Sequence, residues 1–123
     1  MGPTAARLHR AIPRAVAVAV IAAPRRRRPV TMTDRNARVQ FLVRNVDALD
    51  VEMIETDLGG CLVTTPEQTV LDLAHLPNLG KLEGEATAAI DALLPRCDET
   101  VMARIAASQR LGRAFDRVRR RRP

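Results

Sequence analysis

The feature that most constrains this sequence is a strand-to-helix junction in the middle of the chain. Thr65 predicts an N-cap, because its hydroxyl can accept a hydrogen bond from a backbone N–H of the first helical turn. Pro66 suits the first helical position, where its missing N–H is no loss, and Glu67 favours the positive end of the helix dipole. Gln68 follows Thr65 by three residues and predicts a capping box. We therefore expect a helix from Pro66 to about His75.

The residues before this junction have the pattern of strands. Thr4 is expected to be the N-cap of a short helix that runs to about Ile12. Residues 15–23 predict a central strand because they are apolar on both faces. Shorter strands are predicted at residues 30–33, 37–44, 51–58 and 61–64. Gly59 and Gly60 predict a hairpin turn, since a two-residue turn of the primed type needs positive φ.

The residues after the junction predict helices. Between residues 83 and 94 the apolar positions recur at helical spacing, Asp98 predicts a second N-cap, and Gly112 marks a possible break before the last helix. The predicted fold class is α/β in the α+β sense, with a small mixed β-sheet from the N-terminal half packed by C-terminal helices.

The length of 123 residues predicts one domain that spans the whole chain. Residues 1–64 would be mainly strands after a short helix, and residues 65–123 mainly helices.

The charge alternates along the chain. Residues 1–46 hold ten arginines against one acid, residues 47–103 hold twelve acids against two basic residues, and residues 104–123 hold eight arginines against one acid. Such asymmetry predicts an anionic partner for the two ends, and nucleic acid is the first candidate. The acidic middle either faces a basic protein or balances the positive charge of the ends in the folded chain.

Two arginine runs are the candidate DNA-binding residues. Four adjacent arginines between two prolines cannot all be buried, so this loop is expected to be exposed and able to reach phosphate oxygens. A solvated loop without a ligand is the alternative interpretation. The last arginines of the chain are expected to form a frayed basic tail. The candidates are Arg25, Arg26, Arg27, Arg28, Arg119, Arg120 and Arg121.

The sequence indicates no enzyme and no metal or cofactor site. Cys61 and Cys97 are the only cysteines and do not form a paired metal-binding motif. The acids Glu52, Glu55 and Asp57 are the only nuclease-like group, but on a strand Glu52 falls on the face opposite the other two. His9 and His75 are isolated in sequence and are interpreted as surface or boundary residues.

No membrane partner is predicted. The N-terminal apolar run of nine residues after Arg14 is far shorter than the roughly 20 residues that a membrane span requires. Its alternating alanine and valine favour a strand over a signal helix. The predicted location is cytoplasmic.

Residues 62–74, with the sequence LVTTPEQTVLDLA, resemble the C-terminal antitoxin domain of the AbiEi family from type IV toxin–antitoxin and abortive-infection systems. Residues 5–15 and 105–112 are similar to the segments that flank this motif, so the resemblance covers nearly the whole chain. The motif residues that match are taken as structural: Thr65, Pro66, Glu67, Thr69 and Asp72.

The resemblance implies a non-enzymatic antitoxin that opposes a nucleotidyltransferase-like toxin, not necessarily through a stable complex. Family members typically begin with a winged helix-turn-helix that binds promoter DNA, and the expectation here is a chain with only the C-terminal domain. Duplex DNA is a further expected partner. Two other hypotheses remain: a general DNA-binding accessory module or transcriptional regulator without antitoxin activity, and a nuclease remnant.

Overall fold

The computed structural model describes residues 1–10, 18–25, 28–32, 37–56, 59–77 and 83–121. Its strands are β1 (Val18–Ala23), β2 (Val30–Met32), β3 (Ala37–Val43), β4 (Val51–Thr56) and β5 (Gly59–Thr64). Its α-helices are α1 (Gly2–Leu8), α2 (Pro66–His75), α3 (Glu83–Leu93), α4 (Glu99–Gln109) and α5 (Gly112–Arg121). Short 3-10 turns lie at Val46–Ala48 and Leu94–Arg96. This arrangement confirms the predicted mixed α+β class.

The described strands form two small sheets. In the first, β1 pairs in parallel with β3 and β2 pairs antiparallel with β3, so the order is β1-β3-β2. The expectation that the first strand is central is wrong: β3 holds that place, and Ile21 on β1 is 44% exposed. An alanine- and valine-rich run suits a protected strand, and here the protection comes from a helix on its outer edge.

Helix α1 closes that outer edge of β1. The Met1 nitrogen donates to the Val20 carbonyl oxygen at 3.0 Å, and the Thr4 hydroxyl accepts from the Val20 N–H at 2.7 Å. Thr4 is therefore not the predicted N-cap, because α1 already begins at Gly2 and Thr4 lies within it. The predicted end at Ile12 falls outside the described residues, and α1 itself ends at Leu8.

The second sheet is the antiparallel β4–β5 hairpin. Its pairing extends to Thr56 and Gly59, and residues 57–58 between them lie outside the described part of the chain. The prediction of a hairpin is confirmed, but the prediction of a Gly59-Gly60 turn is wrong. Both glycines belong to β5, where Gly59 has a φ of +113° that favours glycine.

The main hydrophobic core lies among the helices. It contains sixteen buried residues, with the α2 residues Val70, Leu71, Leu73 and Ala74 at its centre. The predicted apolar face of α3 is confirmed, since all four of its residues are buried: Ala86, Ala89, Ile90 and Leu93. The core is completed by Ala6, Leu94, Met102, Ile105, Ala106, Leu111, Ala114 and Val118.

The last two helices meet at a sharp corner. The Asp98 carboxylate accepts from the N–H groups of Thr100 and Val101 at 2.8 and 3.3 Å, which confirms the predicted N-cap of α4. The helix ends at Gln109, and the following C-cap residue Arg110 has a left-handed φ of 58°. The break thus falls before Gly112, which is the first residue of α5. Among the described residues, no helix is long and apolar enough to cross a membrane.

Candidate functional site

The strand-to-helix junction has the predicted cap in a modified form. The Thr65 hydroxyl accepts from the Gln68 N–H at 3.4 Å, and Pro66 begins α2. The predicted return bond from the Gln68 side chain to the Thr65 N–H is absent, because that N–H donates to the Asp50 carbonyl oxygen at 3.0 Å. The Gln68 Oε1 instead accepts from the Asp50 N–H at 3.1 Å. Asp50 therefore fastens the start of β4 to the start of α2, with Glu67 half-buried beside it in the first turn.

The junction continues into a buried polar cluster, defined as Arg44, Gln68, Asp72 and Gln109. Asp72 is fully buried, and its Oδ1 accepts from Arg44 at 3.0 Å and from the Gln68 Nε2 at 3.1 Å. Arg44 also donates to the Gln109 Oε1 at 2.9 Å, and the Gln109 Nε2 donates to the Gln68 Oε1 at 2.7 Å. The cluster joins the residue after β3 to α2 and to the end of α4.

Burial dominates the electrostatics of Asp72. Loss of solvent raises the pKa of its carboxyl above the usual value, while the charge and hydrogen bond of Arg44 and the hydrogen bond from Gln68 act in the opposite direction. The second carboxylate oxygen, Oδ2, has no hydrogen-bond partner among the described residues. The arrangement joins the residue after β3 to α2 and to the end of α4.

Thr69 completes the family motif. Its hydroxyl donates to the Thr64 carbonyl oxygen at 3.1 Å and lies 2.8 Å from the Thr64 hydroxyl, with both residues buried. Thr65 and Thr69 therefore direct their side-chain hydrogen bonds to the junction of β4, β5 and α2. Asp72 instead bonds within α2 and to Arg44, the residue after β3.

His9 is a buried residue that sequence reasoning placed wrongly. It is only 6% exposed, and its Nε2 donates to the Thr64 carbonyl oxygen at 2.7 Å, since a carbonyl can only accept. Its Nδ1 faces the Glu52 carboxylate at 3.8 Å, and Arg96 donates to its carbonyl oxygen at 2.8 Å. The sequence holds no signal for these contacts, because the partners are 55 and 87 residues away.

The predicted arginine candidates fall into two places. Arg25 and Arg28 are exposed in the loop after β1, while the positions of Arg26 and Arg27 lie outside the described residues. This loop begins beside the buried polar cluster, since the Ala23 carbonyl oxygen accepts from the Arg44 N–H at 2.9 Å.

The C-terminal candidates lie on α5, which continues to Arg121. The prediction of a frayed tail is therefore wrong for the residues up to Arg121. Arg119 pairs with Glu99 at 3.2 Å and lies 5.4 Å over the Phe115 ring. Arg121 donates twice to Asp91, at 2.8 and 2.7 Å, and this hydrogen bonding lowers the pKa of the Asp91 carboxyl. Two of the three candidates are thus held by acids of neighbouring helices.

Arg120 belongs to a row of arginines on α5 whose other two members, Arg113 and Arg117, were missed by sequence reasoning. Arg113, Arg117 and Arg120 are all exposed, and their spacing of four and three residues aligns them on one helix face. Within the described part of the chain, none of the three forms an ion pair with an acid. Helical periodicity in the sequence from Gly112 onward is the signal that could have found this row.

No metal centre is assembled by the residues that the structure describes, which contain no group of three potential ligands. Glu52 and Glu55 lie on β4 at odd spacing and so on opposite faces, while Asp57 is outside the described residues. Cys61 and Cys97 are not joined by a disulfide.

The comparisons with known proteins give one match. The family model of the AbiEi antitoxin C-terminal domain matches residues 1–120. No curated protein and no solved structure matches the chain. A match over nearly the whole length, with the motif residues placed at the junction of β4, β5 and α2, shows the family. The chain belongs to the AbiEi antitoxin family, as its C-terminal domain, and has the role of an antitoxin in a toxin–antitoxin or abortive-infection system.

Proposed function

We propose that this antitoxin domain counteracts a nucleotidyltransferase-like toxin, and that residues 1–123 act as one domain in the cytoplasm. The observation that carries the proposal is the family match over residues 1–120. The local geometry adds a mechanism in outline. Because the hydroxyls of Thr65 and Thr69 and one carboxylate oxygen of Asp72 form internal hydrogen bonds, the domain acts through the surfaces that this scaffold presents and not through chemistry at the motif.

Co-expression tests this proposal. The toxin is a nucleotidyltransferase-like protein encoded beside the chain, expressed from an inducible promoter with and without this domain. We expect the intact domain to restore growth, and a Leu71→Arg variant to fail because it places a charge in the helical core. The proposal is wrong if growth arrest persists while soluble domain accumulates in the cell.

We propose DNA binding as a second, accessory function. It is favoured by the row Arg113, Arg117 and Arg120 on α5, and by the exposed Arg25 and Arg28. Arginines held at fixed spacing on a helix reach successive phosphates, which gives affinity that depends on salt and not on sequence. In this proposal the tail candidates divide: Arg120 contacts DNA, whereas Arg119 and Arg121 orient α5 through their acidic partners.

Fluorescence anisotropy with a duplex oligonucleotide tests the DNA proposal. The variant carries Arg113→Gln, Arg117→Gln and Arg120→Gln. We expect the slope of log affinity against log salt to become shallower by about 0.9 for each phosphate that the variant no longer neutralises. The control carries Arg119→Gln and Arg121→Gln, which removes two charges from the same helix but none from the row. An equal change of slope in the two variants would show that only the net charge of the domain matters. It would contradict the assignment of the phosphate contacts to Arg113, Arg117 and Arg120.

A further inference from the structure

Exposed apolar side chains converge on one groove of the molecule. The groove has a volume of about 550 Å³ and lies between α1, β1 and β5. Five large apolar residues that line it are at least 36% exposed: Leu8, Ile21, Val46, Val51 and Leu62. Leu62 is the most exposed of them, at 68%. Scattered exposed apolar residues are ordinary, but a contiguous set in one groove marks an interaction site.

The backbone of β5 is also open toward this groove. The Thr65 N–H donates to the Asp50 carbonyl oxygen, so this pair is hydrogen-bonded in the hairpin register. Because bonded and non-bonded pairs alternate in an antiparallel ladder, the Leu62–Met53 pair is non-bonded and the N–H and C=O of Leu62 point away from β4. This edge can accept an added strand.

On the other side of the groove, the outer edge of β1 offers the backbone groups of one residue, Ala22, to an added strand. The N–H and C=O of Val20 point away from β3 and are taken by Thr4 and Met1. Ala22 lies two residues further on the same edge and lines the groove. An extended segment between β1 and β5 thus finds backbone partners at Leu62 and Ala22.

The charge around the groove is negative. Asp47 lines it, and the Glu55 carboxylate leans over Gly60 on the face that also bears Leu62, since a Cβ at Gly60 would lie 3.1 Å from the Glu55 Oε1. Residues 47–57 contain five acids and no basic residue. Among the described residues that line the groove, there is no arginine, lysine or histidine side chain. The Met1 ammonium also lines it, but this group donates to the Val20 carbonyl oxygen, and burial lowers its pKa, which favours the neutral form.

We propose that this groove binds an extended segment of the toxin in which apolar and basic side chains alternate, added as a strand to β5. Apolar side chains of the segment fill the groove, and its basic side chains face Asp47 and Glu55. The proposal rests on the antitoxin function above, because it names the surface through which the toxin is recognised. The row of arginines on α5 has the opposite charge and is not part of this surface.

A pair of synthetic peptides tests the chemistry of the groove. Both are ten residues long; one alternates valine with lysine and the other alternates valine with glutamate. We expect the lysine peptide to bind about tenfold more tightly, because like charges across an interface disfavour the glutamate peptide. The amide resonances of Leu62 and Ala22 should shift in a titration followed by NMR. Equal affinities, or shifts confined to α5, would overturn the proposal.

Proline variants test the strand addition. Leu62→Pro removes an N–H that points into the groove but takes no part in pairing with β4, so the hairpin keeps its ladder. Met53→Pro is the matched control, because Met53 is the cross-strand partner of Leu62, is 61% exposed, and directs its N–H to the opposite edge. We expect about tenfold weaker binding for Leu62→Pro alone. Equally weakened binding in both variants would refute the added strand.

The same two variants connect the groove to the toxin. In co-expression, Met53→Pro should restore growth and Leu62→Pro should not. A domain that restores growth with both variants retains its antitoxin function but does not use this groove, whereas a domain that binds the lysine peptide and never restores growth contradicts the antitoxin function itself. A concentration-dependent dimer in sedimentation velocity that Leu62→Asp dissolves would assign the groove to a second copy and overturn the proposal.

Discussion

The helical and strand regions of this domain bury their apolar residues to very different degrees. The sixteen residues of the main core all lie on the helices or the short segments between them, and Leu71 and Leu93 are completely buried. In the strand region, by contrast, Ile21, Met53 and Leu62 are 44%, 61% and 68% exposed. The difference indicates that the helices hold the main hydrophobic core, while the strands leave apolar surface exposed, which is where the proposed toxin segment would bind.

The largest expected difference in the free energy of unfolding comes from replacing a leucine by alanine in each of the two regions. Leu71→Ala leaves a cavity in the helical core and should lower the free energy of unfolding by about 2–5 kcal/mol. Leu62→Ala removes an exposed side chain and should change it by less than about 0.5 kcal/mol. Urea denaturation measures both. A comparable destabilisation at Leu62 would show that the strand region has a core of its own and would remove the contrast.

A substitution at the boundary of the two regions has the next largest effect. Asp72→Asn removes the charge that pairs with Arg44 and should cost about 1–3 kcal/mol. Burial raises the pKa of the Asp72 carboxyl above 3.8 in the folded state, so its stabilising contribution is complete below that pH and declines as the pH rises through the folded-state value.

The cost of Asp72→Asn should therefore shrink as the pH increases from about 4 to about 8. Urea denaturation of both proteins at the two pH values gives the difference. A cost that grows with pH would mean that the ion pair with Arg44 outweighs burial. The polar cluster would then be a source of stability and not only of specific packing.

The junction cap should have a smaller effect. Thr65→Ala removes the hydroxyl that accepts from the Gln68 N–H and contacts the Asp50 carboxylate at 2.7 Å, and should cost about 1 kcal/mol. Thr65→Ser keeps the hydroxyl and is the control, with a destabilisation well below that of alanine. Thermal unfolding monitored by circular dichroism compares them. A serine variant as unstable as alanine would assign the effect to the methyl group.

The smallest effect is expected on the outer face of the helical region. Arg121→Ala breaks the pair with Asp91, but both side chains are solvent-exposed, so we expect no measurable change in the denaturation midpoint. A clear decrease would extend the stabilising part of the helical region to its charged surface. Arg120→Ala, which breaks no ion pair among the described residues, is the control on the same turn of α5.

The features that the sequence predicted are those set by neighbouring residues. The cap at Thr65, the cap at Asp98 and the apolar face of α3 depend on residues within a few positions of one another, and all are found in the structure. The capping box was only half right, because Asp50 competes for the Thr65 N–H from fifteen residues away.

The features that the sequence did not predict depend on distant partners. The contacts of Arg44 with Asp72 and Gln109 span 28 and 65 residues, and no local pattern distinguishes Arg44 from the other arginines of the first half. The edge position of β1 was missed for the same reason. The α1 region covers this edge through bonds of Thr4 and Met1 to Val20, which lies 16 and 19 positions later in the chain. The apolar groove arises from three elements and has no signature in any one of them.

The contacts of His9 bear on the order in which the chain assembles. Its bonds to Thr64 and from Arg96 close loops of 55 and 87 residues, and the entropy lost in closing such loops grows with their length. Consecutive helices from α2 to α5 are joined by much shorter segments. We therefore expect the helical core to form first and α1 to dock last, so that the floor of the groove is completed only in the final step of folding.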